Sequence, residues 1–195
     1  MSRRQARVQD VAGYMLHATP WRETSLVVQV FTREHGCLAL VAKGAKRPYS
    51  VLRPVLSAFQ PLLLSWSGSG EVKTLTRAEC AGLHALSGSP LMSAWYMNEL
   101  LLRLLAREDP HPVLFDAYVD ALSQLASGQR AAAALRRFEW ILLRETGYGV
   151  DEAEPDFLDA KAEPALRAGL RERLAEQLAG RPLSTRRILM DLQRL

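Results

Sequence analysis

Cysteine is scarce in this chain: two residues in 195, Cys37 and Cys80, far apart and without a Cys-x-x-Cys neighbour. That excludes a disulfide framework and leaves two reduced, partly buried thiols as the simplest expectation. The four histidines, His17, His35, His84 and His111, show no paired spacing, so neither they nor the cysteines outline a zinc motif. No run of about 18 uncharged apolar residues occurs, which argues against a membrane span. Arg3, Arg4 and Arg7 open the chain, but the apolar stretch of a signal peptide does not follow them. A cytoplasmic place is therefore expected. Catalytic signatures are missing too. There is no Walker-type phosphate loop, no Gly-x-Gly-x-x-Gly after a strand, no His-Glu-x-x-His and no Gly-x-Ser-x-Gly. Ser, Cys and His occur singly, so the expectation is a protein that is not an enzyme, without cofactor or metal.

What is present is apolar substance and an uneven charge. Hydrophobic residues make up 48% of the chain, enough for a core in one large domain or two small ones. Residues 1–79 carry eleven Lys/Arg against five Asp/Glu, and residues 80–195 fourteen against sixteen. The positive field belongs to the first part. Basic modules favour polyanions, because each neutralised phosphate releases condensed counterions.

The two parts also differ in period. Ser25 to Thr32 alternates, with Leu26, Val28 and Val30 on one face, and Cys37 to Lys43 alternates with Leu38, Leu40 and Ala42. The segment from Thr32 to Gly36 joins them as a hairpin turn. Val8 to Leu16, Pro61 to Trp66 and Glu71 to Glu79 supply three more strands, the last two joined by Ser67-Gly68-Ser69-Gly70. Five short strands predict a small closed barrel of the OB-fold type. After Cys80 the period becomes helical. Ser89-Pro90 starts a helix whose apolar face is Met97, Leu100, Leu101, Leu104 and Leu105, with Glu99 and Arg103 paired at four residues. Further helices are expected at about 112–127 (ending on Gly128), 129–146 (ending on Gly147) and 164–179. Ser184 caps a last one reaching Leu195. Residues 149–164 form an acidic loop of solvated carboxylates, and the acid pair Glu108-Asp109 reads as a helix end. The fold class is thus α+β: an OB-fold barrel over 1–80, then an all-α helical domain over 81–195.

Lys43, Lys46 and Arg47 pack three cations into five residues at the end of a strand, with Gly44 between them and Arg53 close behind. On the fifth strand Lys73, Leu75 and Arg77 share one face by period-two geometry. A cationic strand face beside a basic loop suits a groove for single-stranded nucleic acid. Tyr49, Phe59, Trp21 and Trp66 are the stacking candidates. Phe59 and Trp66 fit the core better, and Tyr49, inside the basic loop, fits the surface. The competing reading of the basic cluster is a solvated turn. Asn98 and Glu99, on an apolar helix, are expected to make a buried hydrogen bond to the barrel, an interface role being the rival. A protein-interaction adaptor that binds no DNA is the alternative function, and a metal-dependent hydrolase or nuclease of nucleic acid is a third.

Five segments, in order over about residues 8–149, resemble the RecO family of bacterial recombination mediators. They are Leu16-His17-Ala18-Thr19-Pro20-Trp21-Arg22-Glu23-Thr24-Ser25, Phe31-Thr32-Arg33-Glu34-His35-Gly36 leading into Val41-Ala42-Lys43-Gly44-Ala45, and Gly70-Glu71-Val72-Lys73-Thr74-Leu75. Tyr96-Met97-Asn98-Glu99-Leu100-Leu101 is the fourth, and Leu135-Arg136-Arg137-Phe138-Glu139 with Gly147-Tyr148-Gly149 the fifth. The likeness resumes faintly at Gly180-Arg181-Pro182-Leu183-Ser184. It implies an OB-fold followed by a helical domain, binding of single- and double-stranded DNA, and annealing of complementary strands. It also implies binding of the acidic, Phe-ended tail of single-strand-binding protein, partnership with RecR and help in loading the recombinase RecA, at the nucleoid. DNA contact falls to Lys43, Lys46, Arg47, Tyr49, Arg53, Lys73 and Arg77. The tail would meet Leu135, Arg136 and Arg137, where Arg can grip a carboxylate in two places. Arg136 also stands three residues before Glu139, so an intrahelical pair is the other reading. One departure stands out. Many relatives carry a four-cysteine zinc site after the Gly-Tyr-Gly segment. Here that stretch is acidic, without cysteine, and short before Gly180, so the zinc site does not carry over.

Overall fold

A computed structural model describes residues 7–128, 130–148, 153–179 and 181–185. The expected helical positions Gln129 and 186–195, the loop residues 149–152, Gly180, Arg3 and Arg4 lie outside the described residues. The chain divides into two compact units. One holds the residues up to His84 together with Ala106–Pro110, and the other holds Ala85–Leu105 and the residues from His111 onward.

In the first unit five strands, β1 (Arg7–Trp21), β2 (Ser25–Thr32), β3 (Gly36–Ala42), β4 (Pro61–Ser67) and β5 (Val72–Cys80), close in the order β1-β2-β3-β5-β4. β1 is longer than its alternation suggested. Its first half pairs with β4 and its second half with β2, with register shifts at Val8/Val11 and Met15/His17. Such bulges bend a strand enough to serve two neighbours. At Gly13, where these pairings overlap, a Cβ would come within 2.9 Å of Thr32 Cγ2 and 3.0 Å of the Phe31 carbonyl oxygen. The β2–β3 hairpin forms as read. Thr32 Oγ1 donates to the Gly36 carbonyl (3.1 Å) and accepts from His35 N (3.2 Å), while Gly36 takes the left-handed φ of 63° that glycine tolerates. Inside lie Val28, Val30, Leu38, Leu40 and Ala42, the faces the alternation picked out in β2 and β3, together with Leu62, Leu64 and Leu75. Phe59 and Trp66 are core residues. Both cysteines are free; Cys37 is buried, but Cys80 is exposed rather than partly buried.

The second unit contains α1 (Gly88–Leu104), α2 (Pro112–Ser127), α3 (Ala131–Glu145) and α4 (Glu163–Gln177). α1 begins one residue before the expected Ser89, and its cap Ser87 makes no side-chain capping bond. α2 opens on a proline and ends at Gly128 with φ 69°, the left-handed stop expected there. α2 packs on α1 and α3, and α4 on α3. Met97, Leu100, Leu101, Tyr118, Leu122, Phe138 and Leu142 are wholly buried. Asn98 and Glu99 of α1 make hydrogen bonds within this unit. Tyr118 hydroxyl donates to Asn98 Oδ1 at 2.7 Å, and Glu99 accepts from Arg103, Ser184 N, Thr185 N and Thr185 Oγ1 at 2.7–2.9 Å. Asn98 thus makes a helix-to-helix bond, and Glu99 caps the segment that starts at Ser184. Burial alone would raise the Glu99 carboxyl, but these N–H and O–H donors and Arg103 together hold it below its usual range. Among the described residues no helix is long and apolar enough to cross a membrane.

Candidate nucleic-acid interface

Between β3 and β4 the chain is a succession of tight turns rather than a free loop. Arg47 N donates to Gly44 O (3.0 Å), Ser50 N to Arg47 O (3.1 Å), Arg53 N to Ser50 O (3.3 Å) and Leu56 N to Leu52 O (2.9 Å). Two further bonds fasten it to the β1–β2 turn: Lys46 N to Thr24 O (2.8 Å) and Gly44 N to Ser25 Oγ (3.4 Å). Ala45 is buried, and Leu52, Val55 and Leu56 pack on the barrel core. With these four side chains turned inward, Lys43, Lys46, Arg47, Tyr49 and Arg53 are left outside. Tyr49 is 99% exposed. Among the described residues none of these four cations enters an ion pair, so their field is uncompensated at short range.

Lys73 and Arg77 are placed differently. Lys73 is largely covered and its ammonium pairs with Glu108. Arg77 donates through Nη2 to Glu79 Oε1 at 2.6 Å and through Nη1 to Asp10 Oδ1 at 3.4 Å. The hydrogen bond to Glu79, then the charges of Glu79 and Asp10, raise its guanidinium above its ordinary value. Nor do Lys73, Leu75 and Arg77 share a face. The β4–β5 register jumps from Trp66↔Leu75 to Ser65↔Arg77. One extra residue, Thr76, reverses the in-and-out alternation beyond it. Leu75 is therefore core, while Arg77 is exposed and Ala78 turns to the core. Trp21, another stacking candidate, is 49% exposed at the β1–β2 turn, with the Arg22 guanidinium carbon 5.9 Å from its ring centroid.

On α3 the adjacent arginines also part company. Arg136 is buried with Glu139, their Nε and Oε2 facing each other at 3.1 Å, while Nη2 and Tyr96 hydroxyl both donate to Glu139 Oε1. This is the intrahelical pair that the three-residue spacing allowed. Nε and Oε2 lack an aligned hydrogen bond, and burial outweighs Arg136, so the Glu139 carboxyl is pushed up to about 7. Arg137 is partly exposed and pairs with Asp120 (3.1 Å) and Glu154 (3.7 Å), while Leu135 is half-buried. The acidic loop is held by its own carboxylates: Asp156 accepts from Leu158 N and Asp159 from Lys161 N.

The sequence reading missed three carboxylates. Glu108 is not a helix end but part of a strap against the barrel, its N–H donating to Cys37 O at 2.8 Å. Glu79 was readable, since two residues along a strand lie on one side. Asp10 and Glu108 stand 67 and 35 residues from their partners, and no local pattern joins them.

Two family models match the chain. "Recombination protein O N terminal" covers residues 8–84, and "Recombination protein O C terminal" covers residues 87–154. Curated relatives carry the description "DNA repair protein RecO". The one from Aromatoleum aromaticum is 46% identical over 241 positions, spanning all of both chains. The one from Ralstonia nicotianae is 45% identical over 240 positions, covering all of this chain and 88% of the relative. The one from Azoarcus sp. (strain BH72) is 55% identical over 146 residues, covering 74% of this chain and 60% of the relative. An alignment of 241 positions against a chain of 195 residues leaves this chain gapped at no fewer than 46 of them.

Proposed function

The chain belongs to the RecO family of DNA repair proteins, and from that premise we propose that it acts as a nonenzymatic mediator of gap repair. It binds single- and double-stranded DNA and anneals complementary strands. With RecR it helps load RecA where single-strand-binding protein coats a gap. Its place is the cytoplasm, at the nucleoid, where its ligand is.

One observation carries the DNA-binding part: four exposed cations without carboxylate partners stand in eleven consecutive residues of a loop pinned to the barrel. Annealing brings two repelling phosphate chains together. A cationic surface lowers that repulsion and leaves base edges free to pair. Phosphate contacts position a strand but do not read it, so binding is sequence-tolerant. Lys43, Lys46, Arg47 and Arg53 supply those contacts and Tyr49 a stacking face. Lys73 and Arg77, whose charges are balanced by carboxylates, contribute less to the field. The tail of single-strand-binding protein meets α3 at Leu135 and Arg137. Arg136 is buried in its pair with Glu139.

The test is oligonucleotide binding by Lys46→Glu/Arg47→Glu at several salt concentrations. Affinity should fall by at least tenfold for single and double strands alike. The slope of log affinity on log salt should flatten by roughly 0.7–0.9 per lost contact. Wild-type affinity and slope in the variant would remove the loop from the interface. A shallow slope in the unmodified protein would favour the adaptor.

A further inference from the structure

Beside the basic loop lies an open groove of about 660 Å³, with Val51, Leu52 and Val55 on one side and Arg77, Ala78 and Glu79 on the other. Its volume falls in the ~300–1,000 Å³ range of ligand clefts, and its character differs from that of the loop. The walls are largely apolar; Val51 is 81% exposed, an apolar side chain kept in water. The cation in the wall is neutralised. Arg77 donates through Nε and Nη2 to Glu79 and through Nη1 to Asp10, so one positive charge meets two negative ones. A phosphate gains less there than at the unpaired cations of the loop. Three of Arg77's five N–H donors are engaged in the plane, which leaves the two flat faces of the guanidinium as its largest contact surface. Such faces stack on aromatic rings.

A single nucleic-acid strand divides in the same way, with phosphates along one side and flat bases along the other. We infer that this groove is a base-seating subsite: it takes unpaired nucleobases of a strand whose phosphates follow Lys43, Lys46, Arg47 and Arg53, and Arg77 is a stacking wall rather than a phosphate ligand. The inference rests on reading the loop as a nucleic-acid surface. In a duplex the bases are paired and stacked on one another, so they cannot enter. The groove therefore sets a preference for unpaired strands without a sequence preference, while the loop serves both forms.

The experiment measures, on the full chain, the affinity and salt dependence for a mixed-sequence single-stranded oligonucleotide and for a blunt duplex of equal length. Arg77→Ala should weaken single-strand binding by roughly five- to fiftyfold. Duplex affinity should stay within about twofold and the single-strand salt slope should not change, because no phosphate contact is lost. Val51→Asn, a neutral change at an exposed position, should act in the same sense and more weakly. A slope flattened in Arg77→Ala as much as by loss of one loop cation makes Arg77 a phosphate ligand and overturns the inference. So does an equal effect, or no effect, on the two DNA forms while Lys46→Glu/Arg47→Glu weakens both. If that loop variant weakens neither, the underlying reading of the loop fails instead.

Discussion

Two groups of cations look alike in the sequence and differ in the folded chain. Lys43, Lys46 and Arg47 crowd into five residues of a loop; Arg136 and Arg137 sit side by side on a helix. Helical geometry carries a side chain back over its neighbours every three or four residues, so Glu139 meets Arg136 as soon as α3 forms. α2 and the acidic loop then bring Asp120 and Glu154 to Arg137. Among the described residues, no carboxylate pairs with the cations of the turns between β3 and β4. These turns bury Ala45, pack the partly buried Leu52 on the core and turn the charges outward. A positive charge is available to a polyanion when the fold leaves it uncompensated, and sequence density alone does not measure that.

The largest effect expected from this contrast is on stability. Arg136→Ala leaves the Glu139 carboxylate buried without a counter-charge and should destabilise the protein by about 3 kcal/mol in urea unfolding at pH 8. The loss should shrink at pH 6, where that carboxyl, already raised to about 7, takes up a proton. The sign follows from linkage. With a folded pKa above the unfolded value of about 4.5, Glu139 contributes stability that is complete below about 4.5 and is lost as pH rises toward 7. In Glu139→Gln that part of the pH dependence should vanish; a profile identical to that of the unmodified protein would mean that the carboxyl is not raised. Next comes Tyr49→Ala, which removes an almost fully exposed ring. It should leave the melting temperature alone and weaken single-strand binding by roughly five- to a hundredfold. A drop in melting temperature without loss of DNA affinity would reverse the contrast between loop and core. The smallest effect is expected at Arg137→Ala, whose pairs are solvent-exposed: within about 0.5 kcal/mol of the unmodified protein in stability. Its affinity for a labelled acidic peptide ending in Phe should nevertheless fall, and unchanged affinity would place the tail elsewhere than on α3.

Much of the architecture was legible beforehand. Alternation in Ser25–Thr32 and the three-and-four spacing of Met97, Leu100 and Leu101 report solvent and core on opposite sides of an element, and that signal is local. Gly36 and Gly128 marked turns because their left-handed φ suits few other residues. The site was half legible. The exposed loop followed from its composition, but the supposed Lys73–Leu75–Arg77 face did not survive, since one bulged residue at Thr76 shifts the phase and nothing in the neighbouring letters announces it.

The sequence by itself determined which segments are strands and helices, which sides of β2, β3 and α1 are apolar, and that positive charge accumulates in the first part, because each of these depends on residues near one another along the chain. Local spacing shows the pairs Arg136–Glu139 and Arg77–Glu79, and tertiary structure decided the remaining compensation. Asp10 reaches Arg77 and Glu108 reaches Lys73 across 67 and 35 residues, and electrostatic neutralisation depends on distance in space, which only barrel closure sets.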